Sequence, residues 1–190
     1  MEKKRRLFVA INLPEKIRKE IASFQDRYPE IPARWTSKEN LHLTIFFAGM
    51  VFEENIEKIK EAIEKAVEKS ASFDFAGEKI AYAPPGTKVP NMIWLVLEKS
   101  KTLSNLKEEI ESQILKTKVE NFRIEGREFS PHITLARIRR WEFQKMEPEE
   151  IPTVDQKFFF KFRVKSVELM ESTLKREGAE YAVLESFPLR

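Results

Sequence analysis

Two short segments of this chain have the same pattern, and they lie nearly half the chain length apart. His42-Leu43-Thr44-Ile45 and His132-Ile133-Thr134-Leu135 both place a threonine two residues after a histidine, with aliphatic residues between and after. These are the 2 histidines of the 190-residue sequence. Alternation of polar and apolar residues predicts a β-strand with one buried face at both places. The fold of this chain must therefore contain two strands of this kind, each with a histidine and a threonine on one face and aliphatic residues on the other.

The elements around the two motif strands also recur in the same order. A strand, an amphipathic helix and the motif strand are predicted in the first half at Leu7–Asn12, Ile17–Tyr28 and Leu41–Phe47. The same three elements are predicted in the second half at Met92–Leu97, Leu103–Ile114 and Pro131–Ala136. A further helix is predicted at Glu53–Lys69, a short strand at Phe73–Phe75, and closing strands at Phe158–Val164, Val167–Ser172 and Tyr181–Leu184, with a turn at Glu177-Gly178. This order indicates an internal duplication.

The duplicated pattern predicts an α+β fold over residues 1–190, which form a single bilobal domain. Each of two pseudo-symmetric lobes is expected to be an antiparallel sheet backed by helices, with a groove between the lobes. Because side chains alternate along a strand, His42 and Thr44 share one face, and so do His132 and Thr134. We expect the aliphatic residues to pack on the helices and both polar pairs to face the groove.

Composition excludes several classes of protein. The chain has no cysteine, which excludes disulfides, thiol nucleophiles and zinc–thiolate sites, and is consistent with a cytoplasmic protein. Its longest uncharged run, Leu41–Phe52, is too short to span a bilayer, so we expect no membrane partner. The formal net charge is only +3, so affinity for a nucleic acid would have to come from a local patch.

The paired motifs are typical of acid–base chemistry at a phosphodiester. One histidine can activate water as a base while the other protonates a leaving oxygen. Threonine hydroxyls can donate hydrogen bonds to phosphoryl oxygens as charge develops there. The sequence offers neither a carboxylate cluster for metals nor a glycine-rich phosphate loop, so we expect no metal and no cofactor. This favours a substrate with a strained ring, such as an RNA 2',3'-cyclic phosphate, although the near-symmetric motifs leave open which histidine is the acid.

The chain resembles the two-histidine phosphoesterases, and within them the RNA 2',3'-cyclic phosphodiesterase group, earlier named 2'-5' RNA ligases. The resemblance covers nearly the whole length and is specific in the paired motifs. Matching stretches are Leu7–Ile11, Arg34-Trp35, Asn40–Ile45, Phe47 with Gly49, Phe129–Arg137, and a tail with Leu169, Ser172, Leu174, Gly178 and Tyr181.

The resemblance implies a role for each motif residue. It makes His42 the proton donor to the leaving oxygen and His132 the proton acceptor from water, with a 2'-phosphomonoester as product. It implies that Thr44 and Thr134 hold the phosphate and that Arg137 supplies a cation to it. In an ideal strand Arg137 would face away from His132, so this role requires a bulge or a long reach; the alternative is an ordinary surface arginine.

Three aromatic residues near the first motif are candidates to stack on a base, namely Trp35, Phe46 and Phe47. Strict alternation puts Phe46 on the face of His42, which makes it the preferred candidate; the alternative is an inward-facing core aromatic.

Three functions remain open, and none of them implies an obligate protein partner. The first is hydrolysis of RNA 2',3'-cyclic ends or cyclic nucleotides. The second is the reverse reaction, a 2'-5' RNA ligase joining a cyclic phosphate to a 5'-hydroxyl. The third is a non-catalytic RNA- or nucleotide-binding module. Both histidines and both threonines are intact, which favours an enzyme, because binding alone does not need two titrating groups.

Overall fold

The computed structural model describes residues 3–119, 129–176 and 178–190. The strands of this part of the chain are β1 (Lys4–Asn12), β2 (Ala33–Trp35), β3 (His42–Phe52), β4 (Phe73–Ala83), β5 (Met92–Leu97), β6 (His132–Ile138), β7 (Asp155–Lys157), β8 (Lys161–Val164), β9 (Ser166–Lys175) and β10 (Gly178–Pro188). The α-helices are α1 (Glu15–Ala22), α2 (Ile56–Val67), α3 (Lys101–Lys116) and α4 (Arg140–Phe143). Short 3₁₀ turns extend α1 and precede α2.

The strands form one antiparallel sheet in the order β10-β9-β1-β3-β6-β5-β4-β7, with β2 beside β6 and β8 beside β4. Its two halves meet where β3 pairs with β6 through Leu43 and Ile133. The lobe on one side contains β10, β9, β1 and β3, and the lobe on the other contains β6, β5 and β4 with their short neighbours. The predicted α+β class, with antiparallel lobes and helices packed on them, is therefore confirmed.

The helices cover one face of this sheet with their apolar sides. Ile59 and Ile63 of α2 and Leu103 and Ile110 of α3 are buried in the same core cluster as the inward residues of the strands. Each such aliphatic side chain contributes roughly 1.5–3 kcal/mol when fully buried. The hydroxyl of Ser100 accepts a hydrogen bond from the backbone N–H of Leu103 and so caps the start of α3. Because the helices occupy this face, the opposite face of the sheet is left for the motif side chains.

Several strand predictions were wrong in length. β1 starts before the predicted Leu7, and β9 and β10 are longer than predicted at both ends. Residues 158–160 connect β7 to β8, so the strand predicted at Phe158–Val164 is formed only by Lys161–Val164. β3 continues past Gly49 to Phe52, because Gly49 (φ +73) lies at a bulge where Leu7 pairs with Gly49 and Phe8 pairs with Phe47. β4 runs from Phe73 to Ala83 and not only to Phe75, since it pairs with β8 at its start and with β5 and β7 later. The predicted turn at Glu177-Gly178 includes Glu177, which lies outside the described residues.

The two halves of the chain exchange strands within the sheet. β4, which follows the first motif, pairs with β5 in the lobe of the second motif. β9, which follows the second motif, pairs with β1 in the lobe of the first motif. Each lobe is thus completed by the other half of the sequence.

Candidate active site

The two H-x-T motifs lie side by side at the junction of the lobes. Leu43 pairs with Ile133, and both side chains are fully buried, at 0% exposure. Antiparallel continuation of this pair sets His42 opposite Thr134 and Thr44 opposite His132 on the face away from the core. Directly opposite side chains in such a pair have Cβ atoms roughly 4.5–5.5 Å apart, and diagonal ones about 7–8 Å. All four polar side chains are half-buried and share this face, as the sequence predicted.

Each motif strand contains a bulge immediately after its threonine. In β3, Ala10 pairs with Thr44 and Val9 with Phe46, so Ile45 is the extra residue. In β6, Trp94 pairs with Thr134 and Ile93 with Ala136, so Leu135 is the extra residue. A one-residue bulge reverses which face the following side chains occupy. The same irregularity at the same place in both motifs supports our proposal that the chain is one bilobal domain with an internal duplication.

The prediction that Phe46 shares the face of His42 is wrong. Phe46 is 5% exposed and belongs to the core, because the bulge at Ile45 turns it toward the helices. Its neighbour Phe47 is 56% exposed and lies on the motif face instead. The Phe47 ring is 6.3 Å from the ring of Phe8, which in turn is 5.0 Å from the His42 imidazole. Of the two phenylalanines, Phe47 is therefore the one available to a base.

The second bulge acts in the same way, since it buries Ala136 and brings Arg137 to the face of His132. The bulge that this role required is present at Leu135, and Arg137 is exposed, with Nη1 3.8 Å from the sulfur of Met92. Across the β2–β6 pair Arg137 lies opposite Arg34.

Trp35 does not lie on the motif face. It pairs with Ala136, which is fully buried, and its half-buried ring packs against the core 6.2 Å from Phe24. The interpretation of Trp35 as a base-stacking residue is therefore corrected: its position in β2 gives it the parity of the core.

The two imidazoles are held by the same hydrogen bond. Nδ1 of His42 lies 2.7 Å from the carbonyl oxygen of Asn40, and Nδ1 of His132 lies 2.7 Å from that of Ser130. A carbonyl oxygen only accepts, so both Nδ1 atoms carry the proton, and in each neutral ring the lone pair is on Nε2. Nε2 of His42 is 3.0 Å from the hydroxyl of Thr44, which donates to it when the ring is neutral.

The aromatic surroundings of the two histidines differ. His132 is stacked on Trp94, with ring centroids 3.7 Å apart and planes at 19°. His42 is flanked by Phe8 at 5.0 Å and by Tyr181 at 5.0 Å, the latter edge-on at 89°. Burial lowers the pKa of His42 below its ordinary value, and the hydrogen bond to Asn40 offsets this only in part.

Sequence reasoning missed the aromatic partners of the histidines. Trp94 lies within a predicted strand and Tyr181 within a predicted closing strand, but nothing in the sequence connects either residue to a histidine. Only the sheet order and the register bring them there.

Within residues 3–119, 129–176 and 178–190, no group of three or more histidine and carboxylate side chains is placed to hold a metal ion. In the same ranges no helix has the length and apolar character needed to cross a membrane.

The comparison with known families is decisive for classification. A family model described as the 2'-5' RNA ligase superfamily matches residues 13–176. The chain belongs to this superfamily. The match contains both H-x-T motifs, and it confirms the resemblance that the motifs indicated.

Relatives within the superfamily match almost the entire chain. A protein of Thermotoga maritima named RNA 2',3'-cyclic phosphodiesterase is 30% identical over 185 residues, which cover 94% of this chain and 92% of that protein. A protein of Methanocaldococcus jannaschii with the same name is also 30% identical over 185 residues, covering 96% and 99%.

Solved structures agree with the fold. The structure of TT0787 from Thermus thermophilus has a TM-score of 0.81 at 26% identity and covers 97% of this chain and 98% of its own. Escherichia coli LigT complexed with 3'-AMP has a TM-score of 0.78 at 24% identity, with 98% and 99% covered.

Proposed function

We propose that this protein hydrolyses RNA 2',3'-cyclic phosphodiester ends to 2'-phosphomonoesters, with two histidines as acid and base and without a metal ion. The observation that carries the proposal is the Leu43–Ile133 pair, which sets both H-x-T motifs on one face. The relatives named RNA 2',3'-cyclic phosphodiesterase support the same reaction. Family membership and these relatives make the chain a phosphodiesterase hydrolase.

In the proposed reaction His132 acts first as the base. Its Nδ1 proton is donated to the Ser130 carbonyl, so a neutral ring has its lone pair on Nε2, where it can accept a proton from water. The water oxygen forms a bond to phosphorus while the bond from phosphorus to the 3'-oxygen breaks. His42 donates its Nε2 proton to that 3'-oxygen, which leaves a 2'-phosphate.

The environment of His42 fits a proton donor that is charged by its substrate. Its lowered pKa keeps the free imidazole neutral through more of the pH range than an ordinary histidine. The negative charge of a bound cyclic phosphate raises the pKa of a neighbouring histidine, because it stabilises the cationic ring. Thr44 and Thr134 would donate to the non-bridging oxygens as charge develops on them.

Binding of the RNA end would use the two residues that the bulges bring to the motif face. Phe47 offers an exposed ring for a base, and base–aromatic stacking is worth roughly 1–3 kcal/mol. Arg137 offers a guanidinium to the phosphate on the side of His132.

The reverse reaction, 2'-5' ligation, is the second candidate, and the name of the superfamily model favours it. The same acid and base serve both directions, so the geometry of the site is compatible with either. In water the hydrolytic direction should dominate, because water is in large excess over a 5'-hydroxyl end.

The test is incubation with a 2',3'-cyclic nucleotide in the presence of EDTA, with separation of the 2'- and 3'-monophosphates. We expect only the 2'-product from the wild type, and a loss of about 10²–10⁴-fold in kcat/KM for His42→Ala and for His132→Ala. Phe159→Leu, at an exposed position between β7 and β8, is the matched control with full activity. Activity that EDTA abolishes would refute the metal-free mechanism, and binding without turnover would favour the binding module.

A further inference from the structure

The outer end of the β9–β10 hairpin reaches the segment that leads into the first motif. The ladder between β1 and β9 runs from Ala10–Glu168 to Leu7–Glu171. Beyond it, β9 and β10 pair only with each other in the described register, as Ser172–Lys175 and Gly178–Tyr181, which we name the hairpin arm. The arm is therefore a two-stranded extension whose position depends on what it touches at its end.

One side chain from the segment before β3 holds the arm by a hydrogen bond, and a second lies against it. The amide Nδ2 of Asn40 donates a hydrogen bond of 2.8 Å to the carbonyl oxygen of Ala179. The guanidinium of Arg34 lies so close to Gly178 that a Cβ there would collide with it. Gly178 has φ +145, a backbone conformation that favours glycine, whereas the guanidinium of Arg34 is the mobile end of a long side chain and could move aside.

The arm carries Tyr181 into direct contact with the first histidine. The rings of Phe8, His42 and Tyr181 form a three-ring cluster with centroid separations of 5.0, 5.0 and 5.1 Å. Tyr181 meets the imidazole edge-on, whereas Phe8 approaches it at 34°. Asn40 links the two arrangements, because its carbonyl accepts from Nδ1 of His42 while its side chain holds the arm.

We propose that Tyr181 is a positioning residue for His42, and that the hairpin arm is the device that holds it there. The Asn40 carbonyl fixes one edge of the imidazole, and Phe8 and Tyr181 restrict rotation of the ring, so Nε2 stays beside the Thr44 hydroxyl on the motif face. His132 is held differently, by stacking on Trp94 of the neighbouring strand. Loss of the arm should therefore affect one histidine and leave the other unchanged.

Removing the Tyr181 ring would leave the ionised groups around His42 in place. The charged and titratable groups on the same face include His132 and Arg137 on β6, Glu168 on β9, Arg34 on β2 and Arg6 on β1. Burial is the largest cause of the lowered pKa of His42, so water admitted beside the ring should raise that pKa toward its ordinary value of about 6.5.

The experiment is an NMR titration of the two imidazoles, which is simple because the chain has only 2 histidines and His132→Ala assigns them. In Tyr181→Leu we expect the midpoint of His42 to rise and that of His132 to stay. Turnover of a 2',3'-cyclic nucleotide should fall about 10- to 100-fold in kcat, with KM changed less than about threefold. Tyr181→Phe should keep both properties, and so should Leu174→Ala, a 71% exposed position on the same arm.

A second variant keeps the proposal testable if Tyr181→Leu folds poorly. Asn40→Ala removes the tie to Ala179 but keeps the backbone carbonyl, so it should shift His42 in the same direction by a smaller amount. An unchanged His42 titration in both variants would overturn the proposal, and so would equal shifts of both histidines. The kinetic part rests on the proposed function, whereas the titration does not. If the variants shift the titration midpoint of His42 but the wild type does not hydrolyse the cyclic nucleotide, the positioning role of Tyr181 stands and the proposed hydrolase function is refuted.

Discussion

The bulge at Ile45 predicts that substitutions at two adjacent phenylalanines have different effects: one should lower stability and the other should weaken nucleotide binding. Phe46→Ala removes a ring that is 5% exposed and packed in the core, whereas Phe47→Ala removes one that is 56% exposed on the motif face. A core Phe→Ala substitution costs about 3–5 kcal/mol, which in a domain of this size corresponds to a fall in Tm of roughly 6–20 °C. Without the bulge the two outcomes would be interchanged.

The expected effect of Phe47→Ala is on binding. A surface substitution usually changes the free energy of unfolding by less than about 0.5 kcal/mol. Loss of base stacking worth about 1–3 kcal/mol would raise the Kd of a nucleotide roughly 5- to 150-fold. Phe47→Tyr keeps the ring and should bind as the wild type does.

Thermal unfolding followed by circular dichroism measures the first effect, and calorimetric titration with a nucleoside 2'-monophosphate measures the second. The reasoning is refuted if Phe46→Ala leaves Tm unchanged, or if Phe47→Ala lowers Tm as far as Phe46→Ala does. A Phe47→Ala protein with unchanged Kd would remove Phe47 from the site while leaving the bulge intact.

Three further outcomes follow from the site. Thr44→Val should lower kcat about 10²-fold while Thr44→Ser keeps most of it, since the hydroxyl contacts Nε2 of His42; equal loss in both would mean a packing effect. Arg137→Gln should raise KM at least about tenfold and weaken its salt dependence, and Arg139→Gln, which lies beside Glu142, should change neither. The pKa of His42 is lowered in the fold, so below about pH 6.5 the unfolded chain takes up a proton that the folded one does not. Urea unfolding should therefore show stability falling as pH drops through this range, and less steeply in His42→Gln.

Periodicity was sufficient for most of the elements. The strand at Met92–Leu97 has the predicted bounds, α2 lies within the helix predicted at Glu53–Lys69, and α3 includes the one predicted at Leu103–Ile114. Each of these elements buries its apolar residues in the core without an interruption, so the spacing of apolar residues in the sequence predicts it.

The side-chain parity after each motif was not predictable by alternation. Ile45 and Phe46 are consecutive buried residues, and so are Leu135 and Ala136. In the structure each of these pairs marks the position of a bulge. A single extra residue shifts the alternation of side chains by one position, and a regular period of two cannot predict where this shift occurs. The contact of Tyr181 with His42 was also not predictable, because it depends on where a distant hairpin ends.

The exchange of strands between the halves makes the chain resemble two interlocked pieces. In the sheet order, strands from before and after the loop at residues 84–91 alternate in blocks, so neither piece contains a complete sheet of its own. Each piece also has one of the two histidines. If the protein were divided at this loop, each fragment alone should be inactive. Activity recovered on mixing would then measure the association of the two fragments.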